Sequence, residues 1–179
     1  MELKSGKIEL RRLQDKDASR MAEFANNEKI FRNVRDALPH PYSLEDAVTF
    51  INRCKEQDPV TTFGIAFCGE YVGNIGIEPG TDVYRKSAEI GYFIGEPYWN
   101  MGIVTTALAL ITEYCFHDLG LIRVFTGVFE YNTASMRVLE KCGFQKDCVF
   151  KKAVIKQNHI WDEVRFSKIN PAFMDKDSL

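Results

Sequence analysis

The segment from Ser87 to Phe129 constrains the fold most. Within Ser87–Gly95, Ala88, Ile90, Tyr92 and Ile94 alternate with Glu89, Gly91, Phe93 and Gly95, the period of a strand with one filled face. Gly95-Glu96-Pro97 ends that strand. From Ile103 to His117 the spacing of Val104, Ala107, Leu108, Ile111 and Cys115 predicts a helix with an apolar stripe. Gly120 ends it, and Leu121–Phe129 reads as a buried strand. Strand, helix and strand in so short a span form a right-handed crossover between parallel strands.

The other elements surround that unit. A first strand begins at Ile8. Asp15 is read as the N-cap of a helix carrying Ala18, Met21, Ala22 and Ala25, and a short helix is expected over Glu28–Val34. The prolines of Leu38–Tyr42 exclude helix and central strand there. Ser43 and Asp46 form a capping box for Leu44–Gln57. Thr61–Cys68 and Tyr71–Ile77 make a hairpin around Gly69-Glu70. Asn132 caps a helix to Cys142, with Gly143 at its C′ position. Phe144–Ile155 and Ile160–Ile169 close as a hairpin around Gln157-Asn158. Mostly antiparallel strands with one parallel crossover define an α+β fold, with a seven-stranded mixed sheet and helices on both faces. No linker or repeat divides the chain, so 1–179 is read as one domain with its core at about 7–169.

Composition narrows the function. A net charge of −2 over 179 residues argues against a nucleic-acid binder. Residues Met1–Lys7 are polar and no apolar run nears the roughly 18 residues of a membrane span, so a cytoplasmic protein without targeting signal or membrane partner is expected. Five cysteines without a C-x-x-C pair, and three scattered histidines, predict reduced thiols and no metal site.

The chemistry concentrates at Trp99-Asn100-Met101-Gly102-Ile103-Val104-Thr105-Thr106. A tight turn centred on glycine leads directly into a helix, where unpaired N–H groups and the helix dipole favour an anion. A side chain at Gly102 would hold a phosphate away from the backbone. The nucleotide motifs G-x-x-x-x-G-K-[ST] and G-x-G-x-x-G are absent, which counts against an NTPase or dinucleotide fold.

Four pieces occur in order: Ala88-Glu89-Ile90-Gly91-Tyr92; Trp99-x-x-Gly102-Ile103-Val104-Thr105; Asn132-x-x-Ser135-x-x-x-Leu139-Glu140-Lys141-x-Gly143-Phe144; and Trp161-Asp162-Glu163. Together they resemble the GNAT superfamily of N-acetyltransferases, in particular the branch that acetylates N-termini of ribosomal proteins. The resemblance runs from Ile8 to about Ile169. It implies an acetyl-CoA co-substrate whose pyrophosphate sits on the amides of Met101, Gly102, Ile103, Val104 and Thr105. The pantetheine arm would lie between the two parallel strands, splayed near Gly95, beside Phe93 and Ile94, with Asn132 and Ser135 at the arm and thioester. An N–H near Phe93–Gly95 would face the thioester oxygen.

The resemblance further implies acetyl transfer to a primary amine within a ternary complex. Glu89 is the candidate base, as a carboxylate raised by an apolar pocket, the alternatives being an ion pair with a neighbouring Lys or Arg or a solvent-exposed place. Leu139 stands where many members carry an acidic tyrosine, and the Ser135 hydroxyl is the substitute. Trp99 replaces a frequent Gln or Arg, and Val104 a usual Gly or Ala that would leave the phosphate loop wider; neither change removes a backbone donor. Acceptors in view are an amine-bearing small molecule or a protein N-terminus, for a monomer or homodimer. A non-catalytic acyl-CoA-binding module and a purely structural domain stay open alternatives.

Overall fold

In the computed structural model, residues 2–174 are described; Met1 and residues 175–179, the ends of the expected 1–179 domain, lie outside them. The strands are β1 (Glu2–Ser5), β2 (Ile8–Arg11), β3 (Thr62–Phe67), β4 (Glu70–Pro79), β5 (Ser87–Ile94), β6 (Arg123–Phe129), β7 (Gln145–Lys156) and β8 (His159–Ile169). They form one sheet in the order β1-β2-β3-β4-β5-β6-β8-β7, in which only β5 and β6 are parallel. The helices are α1 (Ala18–Ala25), α2 (Glu28–Phe31), α3 (Leu44–Lys55), α4 (Ile103–His117) and α5 (Thr133–Lys141). No helix among the described residues is long and apolar enough to cross a membrane.

The sheet has eight strands where the sequence predicts seven. Gly6, at φ +58°, turns the chain so that Glu2 pairs with Arg11 and Ser5 with Ile8. This edge strand is almost wholly exposed and lacks apolar alternation, so nothing in its residue pattern marks it. A second correction concerns the start of α1. Asp15 opens a short 3-10 turn, and Asp17 precedes the α-helix. The Asp17 carboxylate is buried, takes a paired bond from Arg11 at 2.7 and 2.9 Å, and accepts the Gln14 N–H at 2.9 Å. Removing one partner leaves a charge buried alone. Asp17→Ala is therefore expected to cost about 3–5 kcal/mol in a urea-unfolding measurement.

Two apolar layers flank the sheet. On one face Leu10, Ile65, Ile75, Ile90, Val124 and Phe166 pack beneath Ile103, Ala107, Leu108 and Ile111 of α4. On the other, Met21, Phe24 and Ala25 of α1 and Ala47 and Ile51 of α3 pack with Tyr71. Burying each Leu, Ile, Val, Phe or Met side chain among them stabilises the fold by about 1.5–3 kcal/mol. The capping box starts α3 as expected, Ser43 Oγ accepting from the Asp46 N–H at 3.1 Å and Asp46 Oδ2 from the Ser43 N–H at 2.8 Å.

β5 and β6 pair only at Ser87–Glu89 with Arg123–Phe125. Beyond that, β5 stays on β4, from Pro79 opposite Ala88 to Gly73 opposite Ile94. β6 stays on β8, from Arg123 opposite Ile169 to Phe129 opposite Glu163. Each strand keeps its outer partner, so a wedge opens after Glu89, well before Gly95.

Candidate active site

The arms of this wedge carry unpaired backbone groups. The Gly95 N–H bonds to the Val72 carbonyl of β4 at 2.8 Å. Hydrogen-bond direction alternates along an antiparallel pair, so Phe93 and Gly95 turn their N–H groups to β4, and Tyr92 and Ile94 turn theirs into the wedge. The expected donor near Phe93–Gly95 is thus narrowed to Ile94. The Trp99 indole N–H bonds the Ile94 carbonyl at 2.9 Å and fixes the peptide that follows this N–H. Gly73 supports it from behind: a Cβ there would lie 2.3 Å from Phe93 O and 2.8 Å from Ile94 Cα. The Phe93 ring itself packs in the α1–α3 layer.

Past the open end of β5, Glu96–Tyr98 make one 3-10 turn, and Asn100 (φ +61°) and Gly102 (φ +74°) reverse the chain into α4. No side chain caps Gly102, and the first helical bond runs from the Thr106 N–H to Gly102 O at 3.1 Å. The N–H groups of Ile103, Val104 and Thr105 therefore lack a helical partner, and no acceptor among the described residues takes those of Met101–Thr105. Nothing lies within 4 Å of where a Gly102 Cβ would sit. These donors converge on open space at the positive end of a 15-residue helix, a favourable seat for a phosphate. Val104 packs its side chain against the core, so it does not fill the notch.

α5 begins just after β6, where the Asn132 N–H bonds Phe129 O at 2.8 Å. Asn132 Oδ1 caps the helix by accepting the Ser135 N–H at 3.2 Å, which leaves the amide NH2 as a donor. The Ser135 hydroxyl lies 2.8 Å from the Tyr92 hydroxyl of β5. Burial pushes the Tyr92 phenol up to about 12, the Ser135 bond opposing the rise and the nearby Cys142 adding to it. Leu139 is wholly buried in the core. Burial also raises the Cys142 thiol, which suits packing and weak donation to Thr105 O rather than attack.

On the opposite face, Glu89 stands at the root of the wedge. Its carboxylate bonds Arg35 and lies 3.5 Å from Arg165 Nη1. The expected apolar pocket is absent: two guanidinium groups hold this carboxylate, and the Glu89 bond in turn raises the Arg35 guanidinium. A cavity of about 540 Å³ opens beside it, between Arg35, Glu78, Tyr84, Arg123 and Phe125. Glu163 is a second carboxylate here, given no role by the sequence reading. It is 8% exposed and pairs with Arg165 Nε at 2.7 Å. Its carboxylate occupies the space a side chain at residue 127 would fill, for a Gly127 Cβ would sit 2.2 Å from Oε1. A glycine inside strand β6 was the available signal. Tyr131 bonds the Arg32 carbonyl and meets Trp161 edge-on at 4.8 Å, walling the mouth.

The site thus combines an anion seat, a strand wedge with an inward N–H, and two carboxylates across from a serine. A family model described as "Acetyltransferase (GNAT) domain" matches residues 7–145. The uncharacterized N-acetyltransferase YoaA of Bacillus subtilis (strain 168) is 29% identical over 174 residues, 94% of this chain and 97% of its own. The [Ribosomal protein uS5]-alanine N-acetyltransferase of Escherichia coli (strain K12) is 25% identical, with 94% and 91% covered. Among solved structures, Mycobacterium smegmatis RimJ in complex with CoA-disulfide superposes with a TM-score of 0.83 at 22% identity, covering 98% of this chain and 89% of that one.

Proposed function

This chain belongs to the GNAT acetyltransferase family, an acetyl-CoA-dependent N-acetyltransferase, and we propose that it acetylates a primary amine, a protein N-terminus foremost, by direct transfer within one ternary complex in the cytoplasm. The observation that carries this reading is the wedge between β5 and β6, which leads from the unpartnered N–H groups of Met101–Thr105 to the Ile94 N–H. The relative that acetylates the alanine of ribosomal protein uS5 supports the choice of acceptor.

In this reading Met101, Gly102, Ile103, Val104 and Thr105 hold the pyrophosphate, and Asn132 donates its amide to the pantetheine arm. Phe93 and Ile94 supply the β5 arm of the wedge, the Ile94 N–H facing the thioester oxygen. One such donor is worth about 2.7–4 kcal/mol, and alignment of the reactants on the order of 7–11 kcal/mol. The free amine attacks the thioester carbon, the C–N bond forms and the C–S bond breaks with its electron pair on sulfur. The amine proton passes to Glu89, directly or through water. Arg35 and Arg165 hold that carboxylate in place. The Ser135 hydroxyl donates a hydrogen bond to the departing sulfur.

Thiol release from acetyl-CoA, measured against a panel of peptides and small amines, tests the reaction. Thiol release that does not depend on any amine would refute it. Glu89→Gln is expected to lower kcat at least tenfold near pH 6 and progressively less above pH 8, an estimate of about that size following from the loss of one general base. A terminal amine titrates at about 7.7–8.0, so below that range it arrives protonated and needs the base, and above it does not. A loss equal at every pH would remove Glu89 from the proton path.

A further inference from the structure

Tyr92 and Ser135 come from opposite arms of the wedge, the tyrosine from β5 and the serine from the helix that follows β6. Their hydroxyls are 2.8 Å apart, and among the described residues neither has another hydrogen-bond partner. Either hydroxyl can donate in this pair; the phenol is the more acidic, and with Tyr92 donating Ser135 Oγ accepts. Ser135 is also fixed at its backbone by Asn132. With one lone pair engaged by Tyr92, the serine proton has no acceptor among the described residues and is left for a group in the wedge.

We infer that Tyr92 is a positioning residue, whose hydroxyl orients Ser135 so that the serine O–H points at the sulfur released from the thioester. The inference rests on the role given to Ser135 above. No proton leaves either hydroxyl: the C–S electron pair stays on sulfur as a thiolate, stabilised by the serine O–H, and the amine proton goes to the carboxylate. Leu139 removes the family's usual hydroxyl, and the Tyr92–Ser135 pair restores a donor with its direction fixed from the far strand.

A mutant cycle separates this role from simple packing. Ser135→Ala and Tyr92→Phe are each expected to lower kcat about fivefold, the value of one oriented hydrogen bond. KM for acetyl-CoA should stay within about twofold in both. The double variant should match Ser135→Ala alone, since Tyr92 acts only through the serine. Losses that multiply, or a Tyr92→Phe enzyme with unchanged kcat, overturn the inference while leaving the Ser135 role intact. A Ser135→Ala enzyme at full rate overturns both.

Should Tyr92→Phe fail to fold, difluorotyrosine at position 92 serves instead. A phenol donates only while protonated, so lowering its pKa should bring the loss of kcat to lower pH. The Cys142 thiol is the other titratable group facing this phenol, so the profile is taken in a Cys142→Ala background. An alkaline limb that does not move with fluorination overturns the assignment.

Discussion

Gly102→Glu is expected to abolish measurable coenzyme A binding while the protein stays folded. The substitution meets open space, with nothing within 4 Å of the new Cβ, so no packing is lost. Its cost to the fold is the positive φ of +74°, about 1–2 kcal/mol for a residue with a side chain. Its cost to binding is larger. The carboxylate would sit on the N–H groups of Ile103–Thr105 and repel a diphosphate from the seat they form. Losing two charge-assisted bonds at about 1.5–3 kcal/mol each weakens binding by at least a hundredfold. Calorimetric titration checks it, with Gly102→Ala as the control for backbone strain. If Gly102→Glu binds as tightly as Gly102→Ala, the phosphate does not sit here.

The second large effect is expected from Gly73→Ala, a residue that touches no substrate. Its Cβ would lie 2.3 Å from the Phe93 carbonyl and 2.8 Å from Ile94 Cα, both backbone, so the strand itself must move. Ile94 is held through its carbonyl by Trp99, and the peptide before it by this close approach. Displacing it misaims the Ile94 N–H, the donor set against the thioester oxygen. Loss of one oxyanion donor lowers kcat by about a hundredfold to a thousandfold. A peptide shifted rather than deleted should retain part of that, so a fall on the order of tenfold to a hundredfold is expected. Coenzyme A affinity, set at the far end of the wedge, should change little. Steady-state kcat beside calorimetric affinity tests the separation, and equal losses in both would instead indicate general disorder of the strand pair.

Much of the site was legible along the chain because its parts are local. The anion seat needs only a glycine turn running into a helix, and Trp99–Thr106 contains both. The Asn132 cap is a contact three residues long. What the chain could not disclose involves partners far apart in sequence. For Glu89 the sequence left an apolar pocket and an ion pair both open; it stands between Arg35 and Arg165, which arrive from the segment after α2 and from β8. Glu163 was placed in a motif without a role, and only the missing side chain of Gly127 on the adjacent strand explains where its carboxylate lies.

The local pattern of apolar residues and glycines determined the crossover, the helix boundaries within a few residues, and the notch at Gly102. These depend on backbone torsion and on periodicity, which each segment carries by itself. Tertiary structure alone decided that β5 and β6 part after Glu89, that Ile94 is the inward donor, and that Tyr92 meets Ser135. Those outcomes depend on which strand holds which neighbour and in what register. A strand in isolation has two equivalent edges, and only its partners choose the one left open.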